Sequence, residues 1–420
     1  MRRKHGLRTT PPHASACADL LAQGERIIVY SLRRLFPALL GAVTSMSSKQ
    51  RRDRQWFAIH SWIGLKLSVL LSFVLITGSF AVISHELDWL FTPQMRAALP
   101  APERYAWGDA YDELRRQYPS AKVIGLSRDR DPWFALQGTV FTPWGELGRL
   151  WFDPATGAFQ GSSKWLNLQR FFRTTHRHLM LPTPIGVPIV ASLAIPLLLS
   201  LVTGLIVYKR FWRGFFRWPR FRRKARIWNG DVHRLLGLWS SWFLLLMVIT
   251  GLWYLIESLG GRAPPFPKPA SVTTSETSAD AEAVSGAAID RMIATAQSVY
   301  PGFRVRLVSL PQKAGAPLTV SGDLDAVLVR PRANVVAFDP ATGELLGSYR
   351  GEELGIHTRI SEAADPLHFG YFGGLWTKVI WFLFGLAMSA LALTGSVIYG
   401  KRLHKHYTSR EPILTTAATP

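Results

Sequence analysis

The chain carries one cysteine, Cys17, so no internal disulfide, thiolate-ligated cluster or Cys-x-x-Cys-His haem attachment can be built. Any redox centre must be held without thiolates. No glycine-rich nicotinamide or flavin fingerprint is present, so electrons for a redox reaction must come from a separate donor. Acidic residues are scarce: 28 Asp and Glu face 49 Lys and Arg, a formal charge of +21. The long apolar stretches contain no acid and no pair of matched helix breaks, which argues against an ion-coupled transporter, and Pro188 and Pro196 do not supply that pattern.

What is present is apolar bulk: 48% hydrophobic residues, with 16 Trp. Four stretches are long enough to cross a hydrocarbon core of about 30 Å: Phe57 to Ser84, Pro184 to Tyr208, Leu235 to Ile256 and Leu375 to Tyr399. Lys209 to Arg234 holds ten basic residues against Asp231 alone, and the segments Lys49 to Arg54 and Lys401 to Arg410 are basic as well. The positive-inside rule puts these three segments and both termini in the cytoplasm. The long connections lack this excess: Glu86 to Thr175 has 11 basic and 10 acidic residues, and Glu257 to Gly370 has 10 and 13, so both lie outside. Topology thereby accounts for the basic charge, and no nucleic-acid partner is expected beside membrane lipid.

The expected organisation is a basic extension at 1–53, a helix at 54–86, an outer domain at 87–175 and a second helix at 176–208. A basic loop follows at 209–232, then a helix at 233–257, a linker and second outer domain at 258–366, a helix at 367–400 and a tail at 401–420. The first 45 residues are basic and interrupted by proline, unlike a span or a secretory signal, and Met46 makes a more natural start.

An internal repeat organises the rest. His60 is followed by Gly64 and Thr77-Gly78; His233 is followed by Gly237 and Thr250-Gly251, with identical spacing at an offset of 173 residues. His176 precedes Thr203-Gly204 by 27 residues, and His368 precedes Thr394-Gly395 by 26. In the outer regions Tyr118-Pro119 and Asp153-Pro-Ala-Thr-Gly157 match Tyr300-Pro301 and Asp339-Pro-Ala-Thr-Gly343. Helical periodicity before each Tyr-Pro and alternation after it, as in Arg304 to Leu310, predict a small α+β domain in each outer region. The fold expectation is a membrane all-α four-helix bundle with two extracytoplasmic α+β domains, produced by internal duplication.

A pseudo-twofold axis would bring His60 to His233 near the inner face and His176 to His368 near the outer face. Two opposed neutral imidazoles form the natural axial pair for a b-type haem, which needs no cysteine. Two such pairs would carry electrons across the bilayer. The glycines near the spans allow close helix approach or room for a flat macrocycle. His178 lies roughly 200° from His176 around a helix, so the two are not expected to serve one site, and the choice between them stays open. His85, roughly 37 Å along the helix from His60, is a spare candidate for the outer haem. His357 is an outer, substrate-side candidate, and Lys66 and Lys378 near span ends are read as snorkelling. Trp residues near the span ends, such as Trp89, Trp239 and Trp381, fit an aromatic belt.

His60-Ser-Trp-Ile-Gly64 with Thr77-Gly78, His176-Arg-His-Leu179 with Thr203-Gly204-Leu205, and Pro366-Leu-His-Phe-Gly370 with Thr394-Gly395 together resemble the PepSY-associated transmembrane family. The Tyr-Pro and Asp-Pro-Ala-Thr-Gly elements look like its periplasmic PepSY domains. The resemblance implies an inner-membrane ferric-siderophore reductase with two haem b groups, a cytoplasmic or membrane electron donor, and a ferric siderophore as substrate. The alternative is a membrane-tethered PepSY regulator of a periplasmic peptidase, which would need neither haem nor spanning histidines.

Overall fold

The structure is a computed structural model that describes residues 47–66, 68–98, 102–142, 145–267 and 284–408. Cys17, His5, His13, Met46 and most of the linker before the second outer region lie outside the described residues. The chain divides into two compact units, 1–60 and 61–420. The described part of the first, residues 47–60, is helical and basic and opens helix α1 (Ser48–Lys66).

Among the described residues of the second unit, four helices are long and apolar enough to cross a membrane: Val69–Phe91, Thr183–Val207, Ser241–Ser258 and Tyr371–Lys401. The first differs from the expected Phe57 to Ser84. Helix α2 (Ser68–Phe91) extends past Ser84 to include Glu86 and Asp88, because both acids are engaged. Lys378 Nζ pairs with Glu86 at 2.6 Å, and Asp88 accepts two backbone N–H groups.

Two helices of the outer regions come next, α3 (Trp107–Gln117) and α4 (Leu168–His178). The second span is split into α5 (Thr183–Ser192) and α6 (Ala194–Val207) at Leu193, where Pro196 denies the Ser192 carbonyl a donor and crowds it. Helix α7 (Ala225–Trp239) hands over to the third span, α8 (Ser241–Ser258), at Ser240. Helices α9 (Gly286–Val299) and α10 (Ile356–Phe369) precede α11 (Gly374–Thr408), whose 35 residues make about 52 Å, longer than the hydrocarbon core requires. Helix α11 packs along α2 and α7, α8 packs against α5 and α6, and α4 and α10 pack on α2 and α8 respectively.

The outer regions were expected as two domains, and they join instead into one sheet. Strands β1 (Lys122–Ser127), β2 (Leu136–Phe141), β3 (Leu147–Phe152) and β4 (Phe159–Lys164) form one meander. Strands β5 (Arg304–Ser309), β6 (Leu318–Asp323), β7 (Val335–Phe338) and β8 (Leu345–Tyr349) form the other. The spatial order is β4-β3-β2-β1-β5-β6-β7-β8, with β1 antiparallel to β5 and Leu126 opposite Val308. Pairing β1 with β5 covers what would be an open edge in each meander. Only glycine fits at Gly125 in this seam, since a Cβ there would stand 2.4 Å from the Val308 carbonyl oxygen. Both Asp-Pro-Ala-Thr-Gly segments are tight turns: Asp153 and Asp339 accept N–H groups from the two following non-proline residues, and Gly157 and Gly343 sit at φ 73° and 78°.

Helices α3 and α9 cover one face of the sheet, burying Leu114 and Ile289 against Leu126, Phe152, Val308 and Phe338. They meet at a reciprocal contact. Gly108 N–H donates to Asp290 Oδ1 at 3.1 Å, and Gly286 N–H donates to Asp112 Oδ1 at 2.7 Å. Burial pushes the Asp290 carboxyl above its ordinary value, with Asp109 and Asp112 adding to the rise against Gly108 and Arg104. A raised value favours the protonated form in the fold, so this contribution is full below the unfolded value of about 3.9 and is lost as pH climbs through the folded one. Asp290→Asn keeps the acceptor and removes the charge. It should melt at a higher temperature than the parent near pH 7 and at an equal temperature near pH 4; equal midpoints at both would show that the carboxyl costs nothing.

Candidate functional site

The histidines of the outer pair are not on the spanning helices themselves. His176 lies in the last turn of α4 and His368 in the last turn of α10, each just before its span. Helix α4 starts on a built cap. Asp88 Oδ1 and Oδ2 accept from Leu168 and Gln169 N–H at 2.9 Å each, and Asn167 Oδ1 accepts from Arg170 N–H at 3.0 Å. Phe172 stacks on Phe80 at 5.3 Å and seats α4 on α2. The helix ends in a turn with Leu179 and Met180 at φ 55° and 60°, a left-handed conformation costly for such side chains, whereas α10 ends on Gly370 at φ 71°.

These elements bring His176 and His368 together, with ring centroids 6.1 Å apart and planes inclined by 35°. Each ring is held through Nδ1. His176 Nδ1 lies 2.9 Å from the Val74 carbonyl oxygen, which can only accept, so Nδ1 carries the proton. His368 Nδ1 lies 2.8 Å from Thr250 Oγ1, whose own hydrogen goes to the Leu246 carbonyl at 2.9 Å, so Thr250 accepts there too. Both rings are therefore Nδ1–H tautomers with a lone pair on Nε2, the form that binds a metal. Burial pushes both below their ordinary value: His368 to about 4, with His176 adding to the fall and Asp365 opposing it, and His176 against the bond to Val74.

The Thr-Gly pairs serve the histidines rather than helix packing alone. A Cβ on Gly78 would stand 2.5 Å from His176 Cε1, and one on Gly395 would stand 3.1 Å from His233 Cε1. Gly251 differs, with Ala194 Cβ at 3.0 Å from its notional Cβ. Gly78→Ala should therefore push His176 off Val74 and cost about 1–3 kcal/mol, while Gly251→Ala is milder. Thermal unfolding in detergent checks this, and equal midpoints for the two variants would refute it.

The pair lines a cavity of about 750 Å³, walled by apolar span residues such as Val74, Met247 and Trp381 and ending among charged residues on the sheet side. There Tyr254 Oη donates to Asp365 Oδ1 at 2.7 Å, and its ring meets His368 edge-on at 5.3 Å. Arg330 grips Glu362 with Nε at 2.7 Å and Nη2 at 2.6 Å and also pairs with Asp365, while Arg332 reaches Glu362 at 2.9 Å. This network ties the helix of His368 to the sheet. Spacing arguments missed it, because its arginines and acids come from separate elements.

His233, in α7, bonds through Nδ1 to the Leu391 carbonyl at 3.0 Å and to Thr394 Oγ1 at 3.2 Å, repeating the arrangement of the outer pair. His60 lies in α1. His178 does not line the cavity; its backbone packs on Gly186 at the start of the second span. His85 is removed from the pair as well: its Nε2 lies 3.2 Å from Asp129 Oδ2 and its ring stacks on Phe134 at 4.4 Å. His357 Nε2 lies 3.2 Å from the Gly261 carbonyl oxygen, and its ring stands edge-on to Trp253 at 5.4 Å. Lys378 does not snorkel: it is 12% exposed and pairs with Glu86 and, at 3.6 Å, with Asp131. The side chains of His404 and His406 lie outside the described residues.

Among the described residues, no group of three or more His, Cys, Asp or Glu is arranged to hold a metal ion. A pair of imidazoles could instead hold a metal carried by a macrocycle, and rings 6.1 Å apart would leave room for one metal atom at about 2.0 Å from each nitrogen.

Residues 57–402 match the family described as PepSY-associated TM region. The chain belongs to that family. It is also similar to a protein of Pseudomonas aeruginosa carrying the name uncharacterized protein PA4219, at 28% identity over 244 residues, covering 53% of this chain and 60% of that protein. The alignment thus spans about 60% of the relative's length. Family membership and four apolar helices make this a membrane protein.

Proposed function

We propose that this PepSY-associated membrane protein is a haem b oxidoreductase of the inner membrane, carrying electrons from the cytoplasmic side to ferric iron held by a siderophore outside. The observation that supports it is the His176–His368 pair, with both Nδ1 atoms engaged and a cavity of about 750 Å³ around it. Haem b bound between two imidazoles supplies reversible one-electron exchange. The chain's own part is to hold the rings neutral and in one tautomer through Val74 and Thr250, and to keep water from the apolar end of the cavity. A second pair, His60 and His233, rests on the identical spacing of the repeat and on the Leu391 and Thr394 bonds of His233.

The basic segments orient the protein, with both termini in the cytoplasm and the sheet, in this reading a pair of PepSY-like domains, in the periplasm. Reduction there weakens a siderophore's hold, since hard oxygen ligands bind Fe(III) far more tightly than Fe(II). The electron donor is a separate cytoplasmic or membrane component.

The test is a visible spectrum of protein purified from haem-sufficient cells, before and after dithionite, followed by a ferric hydroxamate. Six-coordinate b-type bands that sharpen on reduction and revert with the ferric chelate are expected. A colourless protein would overturn the haem reading, and reduced bands indifferent to the chelate would overturn the substrate.

A further inference from the structure

We infer that the loop between the second and third spans is a folded anchor for anionic phospholipid, with arginines on the lipid phosphates and aromatic rings among the headgroups. The inference is independent of the haem reading. It starts from the surface of this loop. Trp212 is 59% exposed, Phe216 90%, Trp218 75% and Phe221 65%. Single exposed aromatic residues are ordinary, but four in so short a stretch form a surface that calls for an apolar covering.

Cations alternate with these rings. Arg213, Arg217, Arg222, Arg223 and Arg226 are all exposed. The one acid between Lys209 and Arg234 is Asp231, and it is taken. Arg220 Nε and Nη2 donate to it at 2.8 and 3.1 Å, and Arg234 Nη1 donates at 3.2 Å. Among the described residues, no carboxylate pairs with Arg213 or Arg217.

The loop is held in shape and at a definite depth. Phe211–Gly214 is a short 3-10 helix, and Arg217 N–H donates to the Gly214 carbonyl at 3.2 Å. The Phe215 carbonyl accepts from Trp239 Nε1 at 2.9 Å, and the Trp218 ring meets the Trp239 ring edge-on at 6.4 Å. Trp239 stands just before the third span, Ser241–Ser258, whose 18 residues make about 27 Å, close to the thickness of the hydrocarbon core. On the other side the second span ends at Val207, only five residues before Trp212. The stretch 212–218 therefore lies level with the headgroups. That depth favours lipid over an acidic protein arriving from the aqueous phase, and rings and cations together match an anionic leaflet.

Free phosphate offers the arginines the same chemistry as a lipid headgroup, and the test separates the two. The full chain in neutral detergent is titrated with dioctanoyl phosphatidylglycerol, dioctanoyl phosphatidylcholine, inorganic phosphate and polyglutamate. Apparent affinity is read from the rise in unfolding midpoint. The parent should bind phosphatidylglycerol about tenfold more tightly than phosphatidylcholine and gain nothing from phosphate. Arg213→Gln with Arg217→Gln should lower that preference to about twofold, and Arg213→Lys with Arg217→Lys should retain most of it and vouch for the fold. Phe216→Ser should weaken both lipids by a similar factor, because ring insertion does not depend on headgroup charge.

A preference unchanged in the glutamine variant would overturn the anchor, as would a parent that favours neither lipid. Protection by phosphate equal to that by phosphatidylglycerol would assign the arginines to a soluble anion. Protection by polyglutamate where phosphatidylglycerol gives none would make the loop a protein-docking face. Either of these results overturns the lipid proposal.

Discussion

On the haem reading proposed above, replacing His176 with alanine should halve the haem per protein, removing the outer group while leaving the one proposed for His60 and His233. The loss is expected because His176 and His368 would hold the outer group together, and His368 alone would hold it more weakly. His176→Gly with added imidazole should restore six-coordinate bands, a readout that a folding defect would not give. His178→Ala should retain both haems, since His178 does not line the cavity. The reciprocal variant, His233→Ala, should lose the inner haem and keep the outer. Pyridine haemochrome quantification against protein decides each case, and full haem content in His176→Ala would refute the assignment.

Arg330→Met should cost about 3–5 kcal/mol, the usual penalty for leaving a buried charge uncompensated. Glu362 is 2% exposed and takes its main pairing from Arg330, with Arg332 as a half-exposed second partner. Asp365 would keep only Tyr254. Arg330→Lys retains the charge but not the two-pronged grip on Glu362, and it should fall between the parent and Arg330→Met. Thermal unfolding in detergent measures the order, and a midpoint for Arg330→Met within a degree or two of the parent would show that the network is not what anchors α10. Because α10 carries His368, the less stable variants should also bind haem less tightly in proportion.

The legible part of this fold was what repeats or what is long. Four apolar runs need no partner to be recognised, since their length answers to bilayer thickness. The repeated His, Thr-Gly and Asp-Pro-Ala-Thr-Gly positions could be aligned by counting. Boundaries were less legible. The first apolar stretch was read as ending at Ser84 and its helix at 86, and the helix continues to Phe91 because Lys378 and the start of α4, some 80 and more residues away in sequence, satisfy Glu86 and Asp88. Placing the histidines on the spans was also imprecise: His176 and His368 sit on separate short helices, whose ends at Leu179 and Gly370 are set by backbone turns with weak sequence signals.

From sequence alone came the membrane character, the duplication, the family resemblance and the set of histidines worth attention, all of them properties of composition and spacing along one chain. Only the tertiary structure decided that the two outer regions share one sheet, since an open strand edge is satisfied by whichever edge lies nearest. It alone brought His176, and not His178 or His85, up to His368. It also fixed which ring nitrogen keeps a lone pair, because that depends on the Val74 carbonyl and the Thr250 hydroxyl, acceptors more than a hundred residues distant in the chain. Hydrogen bonds and ion pairs act over a few ångströms in space, and spacing along a sequence carries no record of which distant atoms fall within that reach.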